Sequence, residues 1–189
     1  AWAARTAIED YGADPARIHV VLPGASLDET GVDAAGIDRI PGKPMRLLFY
    51  GRDWQRKGGD LAYQTVVRLN AMGLPANLVV CGPTALPDRD IDRSMIVHVQ
   101  PINKDTPAGR TRFAAICQDA DLLILPTRAD CTPGSIREAA MFGLPSVTSD
   151  VGGIPALVEN GRNGYVLPKE ASADDYATVI ANCVQDEQG

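Results

Sequence analysis

Short β-branched or aliphatic runs, most of them nearly continuous, alternate with helix-periodic segments along almost the whole chain, and this rhythm restricts the fold more than any other feature. The runs fall at residues 18–22, 46–50, 77–81, 95–99, 122–125, 146–149 and, more weakly, 165–167. Between them, patterns of 3.6-residue period predict helices at 3–11, 59–72, 108–118, 135–142, 154–159 and 173–184. A strand that is apolar at every position is buried on both faces, whereas a strand with one wet face alternates. Strands alternating with helices then call for a doubly wound α/β fold, a mostly parallel sheet with helices on both faces. Gly73 and Gly143 close two of the helices, and Leu-Pro follows each. Glycine suits that place because it turns left-handed without steric penalty.

At 189 residues, one domain of this type is the expectation, large enough to bury roughly 70% of its unfolded surface. Residues 1–27 read as an appended piece and 45–189 as the doubly wound core. Between them, 28–44 is a linker inside the Gly-, Pro- and Asp-rich stretch 25–44. Residues 84–93 form a charged loop. The net charge of -6 argues against a sequence-independent nucleic-acid surface, which needs a basic face, but not against a small anion held by a local cluster. The four cysteines are scattered, with no metal-ligand spacing, so reduced thiols in a cytoplasmic protein are expected, with neither a metal nor a disulfide framework. No apolar run approaches the ~18 residues of a membrane span. The chain opens Ala-Trp-Ala-Ala without Met, and the natural N-terminus is expected upstream.

In open parallel sheets, ligands bind beyond the carboxyl ends of the strands. Four strand ends here carry Gly, charge or hydroxyl groups: Gly51-Arg52, Gly82-Pro83, residues 126–134, and Asp150 to Gly153. In Gly51-Arg52-Asp53-Trp54-Gln55-Arg56-Lys57-Gly58, Arg can fork onto phosphate oxygens, Lys adds a point charge, and the next helix start adds N–H donors. The same cations also read as solvated loop charges. In residues 125–145, Asp130 sits in a loop and Glu138 follows eight positions later, in the helix that Thr132-Pro133-Gly134-Ser135 opens. Free N–H groups and two carboxylates around one small volume suit a phosphorylated polyol. A second reading is structural: Ser135 or Thr132 as the helix cap, with Ser135 and Glu138 as a capping box. Gly152-Gly153 and the Asn-Gly steps at 160–164 read as tight turns. No G-x-G-x-x-G or Walker-type loop follows any strand, which disfavours dinucleotide oxidoreductases and P-loop enzymes. His19, His98 and the thiols offer no nucleophile-base pair.

These motifs, in this order, resemble the retaining nucleotide-sugar glycosyltransferases of the GT-B fold, in their group 1 class. The resemblance covers residues 20–189 and rests on Pro23-Gly24 with Asp28, GRDWQRKG, VVCGP, DADLLILPT, the acidic pair, REAAMFGLPSVTSDVGGIP and NGRNGYVLP. It implies that residues 45–189 are the Rossmann-like donor-binding half of a GT-B architecture, with Arg52 and Lys57 gripping the donor diphosphate. Glu138 matches the second acid of the family's Glu-(seven residues)-Glu motif, which holds the ribose. Asp130 matches the first, which contacts the transferred sugar. The resemblance further implies that Gly51, Thr132 and the amides of Gly134, Ser135 and Ile136 face the phosphate or sugar. Gly82 and the strand exit through Ile102 border the base. The donor is a UDP- or GDP-linked sugar, with no separate cofactor and no metal.

The chain departs from the family pattern at Asp130, one methylene shorter than the usual Glu, at Cys131-Thr132-Pro133-Gly134, and at Ala156, where Glu is common. The resemblance also implies a missing N-terminal domain that binds most of the acceptor, of which residues 1–27 are the tail, and a fragment inactive alone. It allows peripheral membrane association of the full-length protein. Two rivals share the donor site: a sugar-nucleotide epimerase half-domain and a non-catalytic nucleotide-sugar binding module.

Overall fold

The computed structural model describes residues 2–25, 27, 43–88 and 90–186. Most of the linker expected at 28–44, and Asp28 with it, lies outside the described residues. The core is a six-stranded, all-parallel sheet in the order β3-β2-β1-β4-β5-β6. Its strands are β1 (Met45–Tyr50), β2 (Ala76–Cys81), β3 (Ile96–Val99), β4 (Leu122–Leu125), β5 (Ser146–Ser149) and β6 (Gly164–Leu167). The helices are α1 (Trp2–Glu9), α2 (Gly59–Ala71), α3 (Pro107–Gln118), α4 (Gly134–Met141) and α5 (Ala173–Asp186). This is the Rossmann-like, doubly wound sheet expected, and its strand order reverses between β1 and β4, the position at which such sheets open a crevice.

Both faces are largely apolar because most strand residues are, and in β5 the buried Thr148 and Ser149 hydroxyls donate to the Leu125 and Thr127 carbonyls. Leu47 and Phe49 of β1 point to a core shared with α2 and α5, while Leu48 points to one shared with α3 and α4. All three are fully buried. Each large aliphatic chain removed from water contributes roughly 1.5–3 kcal/mol, so this two-sided core dominates the stability.

Two expected elements differ. The apolar run at 18–22 forms no strand, and Val20, Val21 and Leu22 are 53%, 81% and 50% exposed. A strand needs a neighbour for its N–H and C=O groups, and no described segment supplies one. The helix expected at 154–159 shrinks to one 3-10 turn, Ile154–Ala156. Pro155 lacks an N–H, and Asn163 folds the chain away by donating to the Leu157 carbonyl (2.9 Å) and accepting from Glu159 N–H (2.7 Å). No helix among the described residues is long and apolar enough to cross a membrane.

Candidate functional site

A cleft of about 220 Å³ opens at the carboxyl edge of the sheet, lined by Tyr50, Gly51, Arg52, Lys57, Cys81, Gly82, Pro101, Ile102, Lys104, Gly134, Ser135 and Glu138. It spans the switch point, with the exits of β1, β2 and β3 on one side and the start of α4 on the other. A larger cavity of about 530 Å³ lies at the opposite edge, where Met45, Leu122 and Ser146 begin their strands. Among the described residues, Arg162 is the only cation lining it, so its chemistry is poorer despite its size.

The loops after β1 and β4 are laced together. Arg128 N–H donates to the Arg56 carbonyl (2.8 Å), and the Thr127 hydroxyl donates to the same oxygen (3.1 Å). The Arg56 guanidinium reaches the Ala129 carbonyl (2.9 Å), and Arg128 forks onto both Asp60 oxygens (2.9 and 2.6 Å). That fork, against the cost of partial burial, holds the Asp60 carboxyl below its usual range. Gly58, at φ +76°, caps α2 where any Cβ would overlap the Pro126 carbonyl, so glycine is required for this approach. Buried Trp54 pins the loop beneath, its ring 5.4 Å from that of Phe49.

Within this frame the predicted cations separate. Arg52 is exposed at the cleft mouth. Lys57 is buried and ion-paired to Asp130, with Arg56 3.6 Å from the same carboxylate. Arg56 belongs to the loop lacing rather than to the cleft. Lys57 and Arg52 face the cleft. Asp130 and Thr132 do not line it, and Asp130 touches the site only through Lys57. The Ile136 side chain is buried in the core beneath α4, and Ile136 lines the larger cavity rather than this cleft.

The capping-box reading is overturned. The α4 cap is Pro133, with no side-chain hydrogen bond, and Ser135 is already inside the helix. The Ser135 hydroxyl is buried without a partner, and it lines the cleft. The first N–H groups of α4, from Gly134 to Ile136, have no acceptor within the helix and carry its positive dipole end. Glu138 sends its carboxylate to Lys104 instead, Nζ to Oε1 at 2.6 Å, with the Glu138 side chain 5% exposed. Tyr50 faces the same carboxylate. Burial and the nearby Glu138 charge raise the Tyr50 hydroxyl well above its ordinary value, so it stays a donor. Burial also pushes the Cys81 thiol up to about 11. The His98 ring donates to the Pro83 carbonyl (2.9 Å) and braces the β2 exit.

Lys104 is the charged cleft residue that the sequence reading missed, together with the lining residues Tyr50, Cys81 and Pro101. It sits in the loop after β3, on the edge where the other candidates converge, and a cation at that strand exit was the available signal. No group of three or more His, Cys, Asp or Glu side chains among the described residues is placed to hold a metal ion.

Residues 44–186 match the profile of the family described as Glycosyl transferases group 1. The D-inositol 3-phosphate glycosyltransferase of Rhodococcus erythropolis is 32% identical over 192 residues, covering 93% of this chain and 42% of that protein. The chain spans about 40% of the length of the curated relatives it matches. Among solved structures, the lipopolysaccharide outer core galactosyltransferase WaaB superposes with a TM-score of 0.72 at 18% identity, covering 95% of this chain and 50% of WaaB. Anabaena HepE in complex with UDP superposes with a TM-score of 0.69 at 17% identity, covering 100% of this chain and 53% of HepE.

Proposed function

This chain belongs to the glycosyl transferases group 1 family, and from that premise we propose that its cleft binds the nucleoside-diphosphate sugar from which a hexosyl group is transferred, with retention, to an acceptor hydroxyl. The observation that carries the reading is the pairing of ends in one cleft. Lys57, Arg52 and the open start of α4 form a cationic end, and Glu138 forms an acceptor end further along the same helix. A nucleoside diphosphate has the matching ends, anionic phosphates and a ribose diol.

In this reading the diphosphate lies on the amides of Gly134, Ser135 and Ile136. The unpartnered Ser135 hydroxyl donates to it, Arg52 closes over it, and Lys57 contacts it while keeping Asp130 as its buried neighbour. Glu138 accepts from the ribose, and Gly82 and Ile102 border the base. As the glycosidic bond to phosphate breaks, positive charge grows on the sugar ring and negative charge on the leaving oxygen. Donors already fixed at that oxygen stabilise the charge without reorganising, usually the largest catalytic contribution. Asp130 acts by positioning Lys57. The reading puts the donor as UDP- or GDP-linked, the acceptor mainly on a second domain, and the protein in the cytoplasm, where cysteines outside disulfides are at home.

A thermal-shift panel with UDP, GDP, ADP, UDP-glucose, GDP-mannose and NAD tests it. A ligand at a hundredfold excess over Kd adds about 2.7 kcal/mol, a rise of roughly 5–10 °C for a chain of this size. The expected result is a rise with one nucleoside diphosphate and its sugar, lost in Arg52→Ala. A rise with NAD alone, or one indifferent to Arg52, would sink the reading.

A further inference from the structure

Lys104 is held in place more firmly than a solvated surface lysine. Its ammonium lies 5.1 Å from the Tyr50 ring centroid and 5.0 Å from that of Phe113, between two aromatic faces that attract a cation. The carbonyl of Lys104 accepts from Arg110 Nη1, and the Thr106 hydroxyl caps α3 at Gly109 N–H (3.1 Å). The loop is therefore set before any ligand arrives. Nζ then meets Glu138 Oε1 at 2.6 Å, in a pair whose carboxylate side is 5% exposed.

A carboxylate has about four acceptor positions, and Lys104 occupies one. The others can face the cleft. Glu138 follows Gly134 by four residues, about 6 Å along the helix axis, comparable to the width of one pentose between a 5′-phosphate and the 2′,3′-diol. An unpaired charge at this depth would be costly, and Lys104 offsets it while fixing the carboxylate rotamer.

We propose that Lys104 is a positioning residue for ribose recognition, holding Glu138 so that its remaining lone pairs accept from the 2′- and 3′-hydroxyls of a ribonucleoside diphosphate. The proposal rests on the donor reading above and assigns within it a residue that the motif pattern does not mark.

The test compares ribose with 2′-deoxyribose on one protein. Chemical-shift titrations of the chain with UDP, dUDP, GDP and dGDP give the ratio of affinities for each ribo/deoxy pair. Both ligands meet the same sample, so any loss of stability cancels in the ratio. The wild type should prefer the ribonucleotide about tenfold or more, the size of one hydrogen bond to a charged group. Lys104→Met and Lys104→Gln should reduce that preference to within about twofold, and Lys104→Arg should keep most of it. A preference unchanged in both Met and Gln variants overturns the proposal, as does a wild type that binds without preferring ribose. A wild type that binds none of the four nucleotides overturns the donor reading itself, so the two failures are distinguishable.

Discussion

Replacing Lys57 by Met keeps the side-chain stem and removes the charge, which separates what this residue does for stability from what it does for a ligand. The Lys57 and Asp130 side chains are 11% and 12% exposed, and their ion pair links the loops after β1 and β4. Removing one partner of a fully buried pair costs about 3–5 kcal/mol, because the other charge is left uncompensated. Here Arg56 remains 3.6 Å from Asp130 and is itself half exposed, so a cost of about 2 kcal/mol is expected. For a chain of this size that is a fall of about 4–8 °C in Tm. Adding Asp130→Asn removes the stranded charge, and the double variant should recover most of the loss. Ligand binding follows a different pattern. A hydrogen bond from an ammonium to phosphate is worth about 1.5–3 kcal/mol, so nucleoside diphosphate should bind roughly 10–150-fold more weakly in Lys57→Met, without recovery in the double variant. Asp130→Asn alone leaves Lys57 without the carboxylate that positions it, so binding should weaken, by less than in Lys57→Met. Circular-dichroism melting and chemical-shift titration of these four proteins provide the cycle. A double variant that binds like wild type would refute a phosphate role for Lys57. A Lys57→Met loss that Asp130→Asn does not relieve would refute the stranded-charge account.

Three further outcomes follow from individual residues. Gly82→Ala places a Cβ at φ +120°, 2.8 Å from the Gly51 carbonyl, and should cost about 1–3 kcal/mol in urea denaturation; an unchanged midpoint would show that the two strand exits are not in this close contact. Burial pushes the Cys81 and Cys117 thiols up to about 11 and about 12, above the ~8.5 of an unfolded chain. The folded state therefore holds these protons longer, so this stability is fully present below about pH 8.5 and is lost as pH rises through 11 to 12. Denaturant midpoints should fall from pH 9 upward, and Cys81→Ala/Cys117→Ala should lessen the slope between pH 9 and 10. A flat wild-type profile to pH 11 would contradict the burial. Finally, a thiol reagent at pH 8 should label exposed Cys131 quickly and Cys81 and Cys117 only after unfolding, as peptide mapping would read.

The parts of the fold legible in the sequence were those set by local pattern. Runs such as Leu122–Leu125 are apolar at every position because both faces are covered, and that pattern is local and unambiguous. The run at 18–22 carries the same pattern, but whether a strand forms depends on a neighbour that periodicity cannot see. The helix expected at 154–159 ran across Pro155, whose missing N–H was overlooked, and the Asn163 side chain that finishes the turn acts from further along the chain. The site was legible as strand exits converging on one edge, because parallel topology guarantees that convergence. Its pairings were not. Lys57 and Asp130 are 73 residues apart and Lys104 and Glu138 are 34, so each contact depends on the tertiary fold. Ser135 and Glu138 satisfied a local capping rule that lost to the stronger attraction of a buried carboxylate for Lys104.

A crystal structure of this chain soaked with the nucleoside diphosphate that raises its Tm most would test the central claim most directly. The account predicts diphosphate oxygens within hydrogen-bond distance of the Gly134, Ser135 and Ile136 amides and of Lys57, and the ribose diol on Glu138. A nucleotide seated instead in the larger cavity between α4 and α5, or with its phosphates away from the start of α4, would contradict it.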